Sequence, residues 1–124
     1  LKCGTGAGEA SIVTPELNCL TGKATLNVSF KAQCMSDSDN SAMCVEIIRG
    51  ATRGQDYAIQ VEPEGRIRAA QLSSDHNGLN TYSFDINGVQ PGDRIAIGGD
   101  PSRRDSKAMR SFIDDIVITL AAYE

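Results

Sequence analysis

The alternation of apolar and polar residues predicts a chain of short β-strands. The clearest case is residues 24–32, where Leu26, Val28, Phe30 and Ala32 alternate with polar positions, as in an antiparallel strand with one buried face. No segment repeats apolar residues with the 3.6-residue period of a helix. Other runs rich in β-branched and aromatic residues, separated by Gly, Pro, Asn and Asp, predict strands over 1–4, 10–15, 43–49, 57–61, 66–72, 79–86, 94–98 and 110–120.

The last of these runs is the most β-prone stretch in the chain. Its aliphatic residues alternate between two faces, with Ile116, Ile118 and Leu120 on one and Ile113 and Val117 on the other. Both faces are therefore predicted to be covered, which places the strand inside one sheet of a two-sheet stack.

About nine short strands in 124 residues predict an all-β protein, a single domain over 1–124 folded as a two-sheet antiparallel sandwich. If every strand spans the sandwich, successive loops alternate between its two ends. The end expected to carry function is the one with the long polar loops. That end is predicted to hold loops 16–23, 50–56, 73–78 and 99–108, and the opposite end 37–40, 63–65 and 87–92.

Composition excludes several classes of function. The net charge is −4, from 12 basic and 16 acidic residues, and there is no basic cluster long enough to follow a phosphate backbone, so nucleic acid is not an expected partner. No apolar run approaches the roughly 20 residues that a membrane-spanning helix needs. The chain begins at Leu1 without a charged and apolar leader, which predicts a mature protein or a module of a longer one.

The four cysteines leave two interpretations open. Cys3, Cys19, Cys34 and Cys44 are too widely spaced for a zinc knuckle, and there is one histidine in the chain. An even count is typical of disulfides in an oxidising compartment, but buried free thiols are also common. Strand alternation argues against a Cys34–Cys44 bond. Cys34 lies on the inward face of its strand, whereas Cys44 lies on the face opposite to its apolar neighbours Met43, Val45 and Ile47.

Four segments together resemble a known group of modules. They are Ser-Ile-Val-Thr-Pro-Glu-Leu at 11–17, Leu-Asn-Val-Ser-Phe-Lys-Ala at 26–32, Asn-Gly-Val-Gln-Pro-Gly-Asp-Arg-Ile-Ala-Ile at 87–97 and Phe-Ile-Asp-Asp-Ile-Val-Ile at 112–118. In this order they resemble the jelly-roll modules of secreted bacterial proteins, which include galactose-binding-like and carbohydrate-binding domains and related anchor and adhesin modules. The resemblance implies a jelly roll whose consecutive strands often lie in opposite sheets.

The resemblance also implies a structural calcium ion. Several of these families hold calcium with an Asp from a closing Ile-Asp-x-Ile motif, which points to Asp114 here, with Glu9 as a second ligand. Carboxylate oxygens on fixed strands suit calcium. The alternative is that Asp114 and Asp115 accept hydrogen bonds from the backbone or from an arginine such as Arg110.

Sugar-binding members of these families often stack a sugar ring on exposed aromatic residues. This chain has no tryptophan, and its tyrosines are Tyr57, Tyr82 and Tyr123, of which Tyr82 alternates with predicted core residues. A glycan is therefore expected to be held by polar groups in the long loops. The candidate ligand-binding residues are Arg53, Asp75, His76, Asn77, Arg103 and Arg104.

Catalysis within this chain is not expected. His76 would need a nearby nucleophile to act on, and the chain contains no nucleophile-elbow sequence. Asp114 and Asp115 are neighbours on a strand, so their side chains point to opposite faces and cannot converge on one glycosidic bond. The predicted function is a non-catalytic carbohydrate-binding-like module of an extracellular or cell-surface bacterial protein, such as an accessory module of a glycoside hydrolase. The alternative is a structural or adhesion spacer without a small-molecule ligand.

The expected partners are a glycan or neighbouring domains of the parent protein, and the module is expected to be monomeric. The expected location is secreted, periplasmic or on the cell surface.

Overall fold

The described residues form ten strands, all paired antiparallel. The computed structural model describes residues 2–3, 11–53, 59–103 and 107–124, with the backbone alone for residues 2, 3, 53, 59 and 60. Two 3-10 turns, Pro63–Gly65 and Pro101–Arg103, interrupt the loops. The strands are β1 (Lys2–Cys3), β2 (Ser11–Val13), β3 (Ala24–Cys34), β4 (Ala42–Ile48), β5 (Thr52–Arg53), β6 (Ile59–Gln60), β7 (Arg66–Ser73), β8 (Asn80–Val89), β9 (Arg94–Gly99) and β10 (Ser111–Tyr123).

Eight of these strands form two four-stranded sheets. One sheet has the order β1-β10-β3-β8, the other has the order β2-β9-β4-β7, and β5 and β6 form a separate two-stranded ribbon. Most consecutive strands of the two sheets change sheet, as in a jelly roll. The predicted all-β, two-sheet antiparallel sandwich is confirmed. No helix in the described part of the chain is long and apolar enough to cross a membrane.

The predicted alternation of β3 is confirmed, and it determines which of its side chains enter the core. Leu26, Val28, Phe30 and Ala32 are buried, whereas the residues between them are partly exposed. The ring of Phe30 lies 6.0 Å from that of Tyr82 on β8, so aromatic packing ties the two strands together. Burial of such side chains stabilises the fold by about 1.5–3 kcal/mol each.

The second sheet meets this core with aliphatic residues of β4 and β9. Met43, Val45 and Ile47 of β4 belong to the core cluster, with Ile95 and Ile97 of β9. Cys44 and the other alternate residues of β4 are also buried, although they face away from the core.

The positions of the cysteines agree with the prediction that Cys34 and Cys44 are not bonded to each other. Cys34 and Cys44 are buried free thiols on different sheets, and Cys19 is an exposed free thiol. The side chain of Cys3 lies outside the description.

The prediction for the final strand is wrong in one respect. β10 lies inside its sheet by strand order, but Val117, Leu120 and Tyr123 are exposed by 54%, 47% and 47%. One cause of this departure is a β-bulge. The register of β10 against β3 shifts between Asp114 and Val117, and Asp115 has a φ of 51°.

The bulge changes the alternation of β10. Ile113 pairs with Ala32 and Ile118 pairs with Val28, so both lie on the core side, where strict alternation had placed them on opposite faces. In the described residues, β1 pairs with Ser111 and Phe112, which precede the bulge.

The predicted grouping of loops is also wrong. Loop 35–41 lies with loop 74–79 and with residues 100–103 and 107–110, at what we call the crown end, through bonds such as Ser74 N–H to the Ser41 carbonyl (2.9 Å). Loop 14–23 lies with residues 90–93 at the base end, where Leu17 N–H donates to the Asp93 carbonyl (2.8 Å). Residues 57–61 had been counted as a spanning strand, but their described part belongs to the β5–β6 ribbon. Because successive loops alternate between the two ends, counting one spanning strand too many assigned every later loop to the wrong end relative to the earlier ones.

We expect Gly65→Ala to destabilise the base end. A Cβ at Gly65 would meet the carbonyl oxygen of Arg49 at an impossible distance and Val61 Cγ2 at 2.7 Å, and the Gly65 carbonyl already accepts Arg49 N–H at 2.8 Å. Overpacking against backbone should lower the thermal unfolding midpoint by about 5–10 °C. The control is Gly22→Ala, where a Cβ meets nothing within 4 Å and the midpoint should move by about 2 °C or less. Equal effects of the two substitutions would contradict the packing seen at Gly65.

Thiol alkylation should separate Cys19 from Cys44. Burial, reinforced by the nearby carboxylates of Glu46 and Asp100, raises the pKa of the Cys44 thiol to about 12. Because the thiolate is the nucleophile, we expect iodoacetamide at pH 8 to modify Cys19 in the folded protein and Cys44 only after denaturation. Peptide mass mapping reads the result, and native-state labelling of Cys44 at the rate of Cys19 would contradict it.

Candidate functional site

Three loops meet at the crown end and hold one another by backbone hydrogen bonds. Asn40 N–H donates to the Ala108 carbonyl (2.6 Å), which joins loop 35–41 to the segment before β10. Cys34 N–H donates to the Asp75 carbonyl (2.8 Å), which joins the end of β3 to loop 74–79. The loops are therefore positioned by bonds that do not depend on their side chains.

A buried ion pair fixes loop 35–41. The Asp39 side chain is fully buried, and its two oxygens accept Arg110 Nε at 2.8 Å and Nη2 at 3.1 Å. Ser36 Oγ donates to the same carboxylate at 2.6 Å. The Arg110 hydrogen bonds hold the pKa of Asp39 below its usual value, although burial opposes them.

This contact corrects one sequence interpretation. Arg110 had been considered as a donor to Asp114 or Asp115, but it bonds Asp39. Asp115 instead lies 3.2 Å from Lys31 Nζ, and Asp114 Oδ1 accepts the backbone N–H of Asp115 at 2.8 Å.

Of the two expected calcium ligands, the structure describes Asp114. Asp114 is exposed, and no group of three or more His, Cys, Asp or Glu side chains that could hold a metal occurs within the described ranges. Glu9, the other expected ligand, lies outside the description. The calcium site stays a prediction.

A cleft of about 240 Å³, which we call the crown cleft, opens between loops 35–41 and 74–79. His76 lies across it, with Nδ1 2.8 Å from Asp37 Oδ1 and 3.8 Å from Asp75 Oδ1. The carbonyl of His76 accepts Gln33 Nε2 at 2.7 Å, so its backbone is held as well. The residues lining the crown cleft are Cys34, Ser36, Asp37, Asp39, Ser41, Ser74, Asp75, His76 and Lys107.

A second buried ion pair holds the Pro101–Arg103 turn at the crown end. Asp100 is buried, and its Oδ1 lies 2.6 Å from Arg68 Nη2 and accepts Ser102 Oγ at 2.8 Å. Arg103 N–H donates to the Asp100 carbonyl at 3.1 Å. This network fixes the Pro101–Arg103 turn at the crown end.

The structure brings together some of the predicted site residues and separates others. Asp75 and His76 line the crown cleft, and Asn77 N–H donates to Asp75 Oδ1 at 2.9 Å. Arg103 lies on the neighbouring turn, where its carbonyl accepts Asn40 Nδ2. Arg53 belongs to β5, which follows the base end of β4, and its side chain is not described. Arg104 lies outside the described residues.

Sequence reasoning missed the other half of the cleft. Asp37 and Asp39 had been placed at the opposite end, and Lys107 had not been considered. The signal was available, because 35–41 is as polar as the loops that were chosen, but the incorrect strand count assigned it to the wrong end.

Comparisons with solved structures give the same fold. The chain is similar to the C-terminal CBM6 of LamC, a marine laminarinase from Zobellia galactanivorans, with a TM-score of 0.56 and 12% identity, covering 95% of this chain and 78% of that one. It is also similar to the CBM22-1 xylan-binding domain of Paenibacillus barcinonensis Xyn10C, with a TM-score of 0.54 and 12% identity, covering 100% and 95%. No protein-family model and no curated protein sequence matches the chain.

A third structure is longer than this chain. It contains the CBM22-1 and GH10 modules of Clostridium thermocellum xylanase 10B with xylohexaose, and the match has a TM-score of 0.57 and 7% identity, covering 97% of this chain and 24% of that one. These likenesses confirm, at the level of fold, the resemblance to jelly-roll carbohydrate-binding modules.

Asp39→Asn should weaken the crown end in a pH-dependent way. At pH 7 the substitution removes the charge that Arg110 and Ser36 bond, so we expect the thermal midpoint to fall by about 5 °C or more. The matched control is Asp37→Asn, whose carboxylate is 82% exposed, and it should change the midpoint by about 2 °C or less.

Acid should abolish the difference between Asp39→Asn and the unchanged protein. Because the pKa of Asp39 is lower in the folded state than its usual 3.8, its contribution is complete above that value and is lost as the pH falls through the folded-state pKa. The two midpoints should therefore converge as the pH is lowered from 5 to 2. A constant difference over this range would show that the ionised carboxylate is not what stabilises the loop.

Proposed function

We propose that the chain is a non-catalytic carbohydrate-binding module of an extracellular or cell-surface bacterial protein, and that its crown cleft binds a glycan. The observation that carries the proposal is the lining of the cleft by hydroxyl, carboxylate, imidazole and ammonium groups. These groups supply both acceptors and donors for sugar hydroxyls. The shared fold with carbohydrate-binding modules supports the same class of ligand.

The size of the cleft favours the end of a glycan. Ligand pockets usually measure roughly 300–1,000 Å³, so about 240 Å³ suits one sugar residue better than a run of several. Charged hydrogen bonds are stronger than neutral ones, and Asp75, Asp37 and His76 provide them on opposite sides of the opening. Recognition of this kind does not need a tryptophan platform, which the chain lacks.

The chemistry of the same cleft argues against catalysis. The hydroxyls of Ser36 and Ser74 bond the Asp39 carboxylate and the Ser41 carbonyl, and neither bonds His76. Burial raises the pKa of the Cys34 thiol, which donates to the Ser36 carbonyl, so this cysteine is not an activated nucleophile. Binding without reaction is the function that these groups support, in a module whose partners are a glycan and the neighbouring domains of its parent protein.

Glycan binding should depend on the crown cleft. After a glycan array identifies a ligand, calorimetric titration should give saturable binding that Asp75→Asn and His76→Ala each weaken by about tenfold or more, because each removes a charged hydrogen bond. The control is Glu64→Gln, an exposed carboxylate in the turn at the base end, which should leave the affinity unchanged. Arg103→Ala and Arg104→Ala test the two arginines predicted from sequence in the same assay.

The result also separates the two functional classes. Binding to no glycan would overturn the proposal and leave the structural or adhesion spacer as the function. Binding that survives both cleft substitutions would retain the class of ligand but remove the crown cleft as its site.

A further inference from the structure

The chain contains two asparagines that are each followed by glycine. They are Asn77, which precedes Gly78, and Asn87, which precedes Gly88. This dipeptide is chemically reactive, because glycine has no Cβ to keep its backbone nitrogen away from the asparagine side chain. The reaction also needs a backbone that can bend until the two groups meet. The surroundings of each asparagine therefore decide whether it reacts in the folded protein.

Asn77 lies in loop 74–79, in surroundings that permit the reaction. The residue is exposed, and the chain bends at residues 76–78. Its backbone N–H donates to Asp75 Oδ1 at 2.9 Å, but its side-chain amide makes no hydrogen bond in the described part of the chain. Among the described residues, no group accepts the N–H of Gly78 either. Both reacting groups can therefore move towards each other without breaking a hydrogen bond seen in the structure.

Asn87 and Gly88 lie within β8, and hydrogen bonds hold both of their reacting groups. Asn87 Oδ1 accepts Thr25 Oγ1 at 2.9 Å, and Gly88 N–H donates to Glu124 Oε1 at 3.1 Å. The Gly88 carbonyl also accepts Arg49 Nη2 at 3.1 Å. Because the reaction would have to break these bonds and open the end of β8, it requires local unfolding here.

We propose that Asn77 is a site of spontaneous deamidation in the folded protein, whereas Asn87 is protected from the same reaction. The backbone nitrogen of Gly78 attacks Asn77 Cγ, and a bond forms between these two atoms. The bond from Cγ to the side-chain nitrogen breaks, and ammonia leaves with the proton that the Gly78 nitrogen loses through solvent. Water then opens the resulting succinimide at either carbonyl, which gives aspartate or isoaspartate at position 77. Water is the one co-reactant that the sequence of steps needs.

Deamidation at position 77 would change the charge beside the crown cleft. Asp75 and His76, which line the cleft, directly precede Asn77, and His76 Nδ1 lies 2.8 Å from Asp37 Oδ1. A new carboxylate adds a negative charge near two existing ones, and isoaspartate also adds one methylene group to the backbone of loop 74–79. This consequence rests on the proposed function: each product should bind the glycan severalfold more weakly than the unmodified protein.

Peptide mapping of the folded 124-residue protein tests the site itself. After incubation at pH 8 and 37 °C, digestion by pepsin at acidic pH keeps further reaction slow while the peptides are made. We expect the peptide that carries Asn77 to gain the mass of deamidation, in two forms that separate by chromatography. The peptide that carries Asn87 should stay unchanged in the folded protein, and both should react at similar rates after denaturation.

Two outcomes of the mapping would overturn the proposal. One is reaction in the folded protein at Asn87 as fast as at Asn77. The other is an unmodified Asn77 in the folded protein under conditions in which the denatured chain reacts.

Gly78→Ala is the matched substitution. A Cβ at this position would meet Asn80 Oδ1 at 3.9 Å and no other atom within 4 Å, so the thermal midpoint should move by about 2 °C or less. The added methyl group hinders attack by the backbone nitrogen, so deamidation at Asn77 should slow at least severalfold. An unchanged rate in a folded Gly78→Ala variant would show that this nitrogen is not the nucleophile.

The failure of this proposal and the failure of the proposed function can be distinguished. The rate of deamidation is measured without a ligand, so its result does not depend on glycan binding. The separated unmodified, aspartate and isoaspartate proteins then enter the glycan titration. Equal affinities of the three forms would overturn the effect on the crown cleft, whereas binding by none of them would overturn the proposed function and leave the modification site in place.

Discussion

The ion pair between Asp39 and Arg110 is the interaction on which the crown end depends. A carboxylate with no exposed surface is expensive to bury, and it is stable here because a planar guanidinium bonds both of its oxygens. Asp39 lies in loop 35–41, and Arg110 immediately precedes β10. The pair therefore joins the lining of the crown cleft to the start of the longest described strand, and the exposed Asp37 and the half-buried His76 pair with each other in the same cleft.

The same arrangement recurs at every carboxylate that is buried in the described residues. The buried acids in the described residues are Asp39, Glu46, Asp93 and Asp100, and each pairs with an arginine: Arg110, Arg66, Arg49 and Arg68. Three of the four acids lie next to loops at the two ends, and Glu46 lies on the outward side of β4. The apolar core holds the two sheets together, whereas these pairs determine where the loops leave them. Arginine suits this task because its guanidinium remains charged when it is partly buried.

The strands of the two sheets could be predicted from the sequence, but the grouping of the loops at the two ends of the sandwich could not. Alternation along β3 and β4 reports directly which side chains face the core, so Phe30, Val45 and the separation of Cys34 from Cys44 could be predicted. The end of the sandwich at which a loop emerges depends on the number of spanning strands. Residues 57–61 have the composition of a strand, but their described part belongs to the β5–β6 ribbon and not to either four-stranded sheet. Half of the residues that line the crown cleft were missed for this reason, although Asp75 and His76, which also line it, had been named as candidates. The bulge was also invisible, because an aspartate with positive φ has no signature in a run of β-branched residues.

The crown cleft and the apolar core depend on different interactions. The crown cleft is polar, and its groups exchange hydrogen bonds with water for hydrogen bonds with a ligand, so a modest net affinity per contact is expected. The apolar core works in the opposite way, because its stabilisation comes from removing side chains such as Phe30 and Val45 from water. The pair of Asp39 and Arg110 joins the two, since Arg110 immediately precedes the strand that carries the core residue Ile113.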